Sequence, residues 1–78
     1  MRDVFITHEE AQKVIPVLQW MEEKAPIVEA RKSAARILWE LRSVRGDVNY
    51  EPFKGYQLFL GTTDLAFLTD IMEQLGLR

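Results

Sequence analysis

The only histidine, His8, stands beside Glu9 and Glu10, a grouping of residue types that metal binding or proton transfer would use. A stable metal site needs three or four converging ligands, and neighbouring residues of a helix point apart. His8 therefore reads as a surface residue of a first helical turn. Ser33 and Ser43 have no base near them in sequence, and a serine nucleophile needs one within hydrogen-bond reach. Asp70 and Glu73 lie three apart, and Glu22 adjoins Glu23. General acid–base work requires one such carboxyl in apolar surroundings. Both sets fall on polar helix faces, so they read as solvated surface. The sequence has no Gly-x-x-x-x-Gly-Lys loop, no Gly-x-Gly-x-x-Gly turn, no His-Glu-x-x-His pair and no cysteine. The expectation is a protein that is not an enzyme and uses no cofactor, metal or small-molecule substrate.

What remains is charge and tryptophan. Arg31, Lys32, Arg36, Arg42 and Arg45 stand against Glu40, a net +4 over residues 31–45, while residues 1–30 and 46–78 each carry −3. These stretches account for the chain's net charge of −2. At helical spacing Val28, Ala35 and Trp39 share one line, with Arg31 and Arg42 on one side and Lys32 and Arg36 on the other. Tryptophan and arginine dominate the energetic centres of protein interfaces. The expected partner-binding residues are Val28, Lys32, Arg36, Trp39 and Arg42, with Trp39 filling a partner pocket and the cations meeting carboxylates at the rim. The alternative is a nucleic-acid binder using the same face, the indole stacking a base and the cations holding phosphate. Against it stand the acidic balance and the lack of a helix-turn-helix spacing.

These side chains require helices to place them. Thr7-His8-Glu9-Glu10 forms a capping box, with Ile6 and Ala11 placed as a hydrophobic staple. A first helix is predicted over about 9–23, with Ala11, Val14, Ile15, Leu18 and Met21 on its apolar face and a kink or break at Pro16. A second is predicted over about 26–45, with Pro26 in its first turn and Gly46 as its stop. Its core stripe is Ile27, Ala30, Ala34, Ile37, Leu38, Leu41 and Val44. Asp47-Val48-Asn49 and Glu51-Pro52 read as a loop. Tyr56-Gln57-Leu58-Phe59-Leu60 alternates as a strand and is placed to pair with residues 3–6. A third helix starts near Thr62 or Thr63 as N-cap, buries Leu65, Leu68, Ile71, Met72 and Leu75, and closes at Gly76.

Two dispositions stay open for the tryptophans. Phe53, Tyr56 and Phe59 cover them as core, or Trp20 and Trp39 face outward. If both are exposed, self-association through a two-fold contact is the simplest explanation.

With 78 residues there is room for one domain, and the 47% apolar and 28% charged content suits a soluble one. No apolar run approaches a membrane span, and the start is not a signal peptide. Thr7-His8-Glu9-Glu10-Ala11, followed by Val14-Ile15-Pro16-Val17-Leu18, resembles the opening of a family of small bacterial helical-hairpin proteins of unknown function. The segment from Phe53 to Leu60 is loosely similar to that family's later glycine-containing strand. The resemblance implies the hairpin and no activity or site residues. The expected fold is mainly α: a helical hairpin plus a third helix, with a minor two-stranded β element at about 3–6 and 56–60. The expected function is a cytoplasmic protein–protein interaction or regulatory module, a homodimer or a subunit of a larger assembly.

Overall fold

The computed structural model describes residues 1–43, 47–50 and 53–78. The order is β1 (Arg2–Thr7), α1 (His8–Lys24), α2 (Val28–Leu41), β2 (Asp47–Tyr50), β3 (Phe53–Leu60) and α3 (Thr62–Gln74). The fold is thus mainly α, a helical hairpin with a C-terminal helix and a small antiparallel sheet. Strands β1 and β3 pair with Arg2 opposite Leu60 and Thr7 opposite Gly55. The sheet holds one more strand than expected. Asp47-Val48-Asn49, read as loop, instead form β2 with Tyr50 on the far side of β3, giving the order β1-β3-β2. Asp and Asn disfavour strands in isolation, but the ladder to Lys54 and Tyr56 overrides that weak preference.

Alternation decides which side of the sheet is buried. Ile6, Leu58 and Leu60 are sealed, with Val4 and Tyr56 packed against them, whereas Phe59 and Gln57 face out. The helices cover the buried side with Ala11, Val14, Leu18, Ile37, Leu38, Leu68 and Met72. Each full burial of a large aliphatic side chain stabilises by roughly 1.5–3 kcal/mol. Helix α1 packs mainly along α2, and α3 packs mainly on α2.

The α1 start is a capping box: Glu10 N–H donates to Thr7 Oγ1 at 3.0 Å, and Thr7 N–H donates to Glu10 Oε1 at 2.9 Å. No break occurs at Pro16, and α1 runs through it. The backbone bond that proline forfeits, to the carbonyl of Gln12, falls on the exposed side where both residues meet water. Helix α2 starts later than predicted because Ile27 is extended (φ −101°, ψ 126°), so Pro26 lies in the connector. Ile27 is consequently exposed rather than part of the core stripe. The helix ends at Leu41 with Arg42 as C-cap. The expected stop at Gly46, together with Val44 and Arg45, lies outside the described residues.

Gly61 rather than a threonine is the α3 N-cap, with no side-chain cap bond. At its other end Gly76 adopts φ 75°, and its N–H and that of Leu77 donate to the carbonyls of Glu73 and Met72. That is a Schellman motif, with Leu77 folded back on the core. It draws the chain away from Leu75, which is exposed instead of buried.

Candidate protein-binding surface

Arg36 and Asp64 fix the geometry of the surface. Arg36 Nε donates to Asp64 Oδ2 at 2.7 Å, and Arg36 Nη2 donates to Oδ1 at 2.8 Å. Ser33 Oγ donates to the same Oδ1 at 2.8 Å. Asp64 is only 8% exposed, so the clasp ties the first turn of α3 to the middle of α2. The hydrogen bond from Arg36 holds the Asp64 carboxyl below the usual carboxylate range, and the Ser33 hydroxyl adds to this against the opposing effect of burial. The same bond and charge push the Arg36 guanidinium up. Ser33 is buried, though the sequence reading gives it no role. The legible signal was its place three residues after Ala30 and four before Ile37, the row of the core stripe.

Beside the clasp lies an open groove of about 340 Å³, lined by Met1, Arg36, Trp39, Glu40, Phe59, Leu60, Gly61 and Asp64. Three of its apolar members are open to water, Trp39 at 65% exposed, Phe59 at 51% and Met1 at 76%, while Leu60 is sealed. Trp39 therefore stands as a projecting indole over the groove, and Phe59 lies beside it without sealing it. Phe59 N–H reaches Glu40 Oε1 at 3.3 Å, which ties β3 to α2 and holds the two walls together. Tyr56 does not cover a tryptophan either. It packs against His8, ring centroids 5.0 Å apart at 55°.

Of the predicted partner-binding residues, Val28, Lys32, Trp39 and Arg42 are exposed on the outer face of α2. Arg36 is also on that face, but its guanidinium is engaged by Asp64 of the same molecule. Lys32 and Arg42 have no ion pair among the described residues. Arg42 caps α2, where a cation also suits the negative end of the helix dipole. Other ion pairs among the described residues join Lys13 to Glu9 at 3.9 Å and Arg78 to Glu10 at 3.6 Å. Sequence reasoning missed Met1 and Phe59 as groove walls, because only the pairing of β1 with β3 beside α2 brings them to Trp39.

A second apolar groove, about 320 Å³, lies between α1 and α3 and is lined by Val17, Met21, Phe67, Asp70, Ile71, Gln74 and Leu75. Trp20 is exposed on α1 next to Met21. Asp70 accepts from Gln74 Nε2 at 3.2 Å and is open to water, as is Glu73. Among the described residues, no cluster of three or more His, Asp or Glu could hold a metal ion. No helix among them is long and apolar enough to cross a membrane. Compared with known proteins, the chain matches no family model, no curated protein and no solved structure.

Proposed function

We propose that this chain is a non-enzymatic protein–protein interaction module that works through the outer face of α2, centred on Trp39. One observation carries the reading: an indole 65% exposed, with Phe59 and Met1 also exposed, lining one open groove. Large apolar side chains clustered at the surface mark contact sites rather than ordinary surface. The Arg36–Asp64–Ser33 clasp supports it, because it fixes the helix that presents the indole. The nucleic-acid alternative is weakened by the same clasp, which commits one of its cations to Asp64. The reading takes the module to act in the cytoplasm, which a cysteine-free sequence suits.

Trp39→Ala tests it. The variant keeps its far-ultraviolet dichroism and its stability to within about 1 kcal/mol, since the ring covers little core. It loses the peptide ligands that the wild-type protein selects from a displayed random library. Unfolding of the variant, or ligands bound equally by both forms, overturns the reading.

A further inference from the structure

We infer that the occupant of the Trp39 face is an acidic segment of another protein, carrying one large apolar anchor, and not a second copy of this chain. The inference rests on the reading of α2 as an interaction face and names the chemistry of its partner. With Arg36 answered by Asp64, the cations left on the outer side of α2 are Arg31, Lys32 and Arg42, which have no ion pair among the described residues.

A two-fold contact through this face sets the three cations of one copy against the same cationic face of the other, because an isologous interface pairs one patch with itself. Like charges so placed oppose association. Contact with the outer face of α1 offers a balanced field rather than an acidic one, since Glu9 there pairs with Lys13 and Lys24 stands beside Glu23 around Trp20. An acidic partner is attracted by the same three cations that repel a copy.

Helix geometry sets the spacing such a partner needs. At 1.5 Å per residue, Arg42 stands about 4.5 Å along the axis from Trp39 on one side, and Lys32 about 10.5 Å away on the other. A complementary segment therefore has its anchor roughly one turn from one acid and roughly two turns from another. The anchor enters the groove between Trp39, Phe59 and Met1. Glu40 stands in that groove, so the acids belong outside it, over Lys32 and Arg42.

The test is selection of peptides from a displayed random library against the whole chain, with a labelled mixed-sequence DNA and RNA pool and light scattering at micromolar concentration alongside. The expected peptides are enriched in Asp and Glu around an aromatic or large aliphatic residue. Their affinity falls at least about 30-fold in Trp39→Ala, and roughly tenfold in a Lys32→Glu, Arg42→Glu double variant that keeps wild-type dichroism. Trp39-dependent peptides without acidic enrichment overturn the inference and leave the interaction reading standing. So does a dimer that Trp39→Ala dissociates. The absence of any Trp39-dependent peptide overturns both. Nucleic-acid binding abolished by the double charge reversal would replace the acidic protein segment with phosphate.

Discussion

Replacing Asp64 by Asn removes a charge while keeping the shape of the side chain, and it isolates what the clasp between α2 and α3 contributes. The carboxylate accepts two bonds from Arg36 and one from Ser33, at 2.7–2.8 Å. Hydrogen bonds to a charged group contribute roughly 1.5–3 kcal/mol, against 0.5–1.5 for neutral ones. The amide keeps one oxygen, which Arg36 Nη2 and Ser33 can still reach, but its NH2 then faces Arg36 Nε, so one bond is lost and the others weaken. A few tenths of a kcal/mol more come from Asp64's place in the positive first turn of α3. Water around the guanidinium screens part of the attraction, since the Arg36 side chain is 56% exposed. Asp64→Asn therefore destabilises by about 1.5–2 kcal/mol, or about 6–16 °C in Tm for a domain of this size.

The pH dependence has a definite sign. The folded carboxyl titrates below its unfolded value of about 3.9, so its contribution is complete above about pH 5 and fades as pH falls through 3.9 toward the folded value. Urea unfolding of both proteins at pH 7 and at pH 2.5 should show a wide gap that narrows in acid. A gap under about 0.5 kcal/mol at pH 7, or one of equal size at both values, would refute the account of the clasp.

Other substitutions probe the scaffold. Gly55→Ala places a Cβ into the backbone of β1, 2.8 Å from Thr7 Cα and closer still to the Ile6 carbonyl. The sheet cannot close around it, and a loss of cooperative thermal unfolding by dichroism is expected. Pro16→Ala restores a backbone donor within α1 at an exposed position. It should raise stability by about 1–3 kcal/mol in chemical denaturation, and a fall instead would mean the ring shapes α1 for packing.

Local chemistry made much of this fold legible. The capping box at Thr7 and Glu10 and the positive-φ stop at Gly76 depend on neighbours in the chain, and both stand as the spacing predicts. The periodic faces of α1 and α2 were readable for the same reason, since a helix repeats every few residues whatever surrounds it. The same periodicity put Val28, Lys32 and Trp39 on one face, and they lie there. Ile27 and Leu75 failed because each sits at a helix end, where one extended or left-handed residue redirects the chain and the periodic rule no longer applies.

By itself, then, the sequence determined that three helices form and roughly where they lie, how α1 begins and α3 ends, and that α2 carries a cationic line around an indole. Only the tertiary structure decided what that line is free to do. Docking α3 brings Asp64 within 2.7 Å of a guanidinium 28 positions away and takes Arg36 out of play. Pairing β1 with β3 brings Met1 and Phe59 to Trp39 and leaves the ring open to water. Contacts between residues so distant in the chain leave no periodic trace, because they are set by how whole elements pack and not by the chemistry of any one of them.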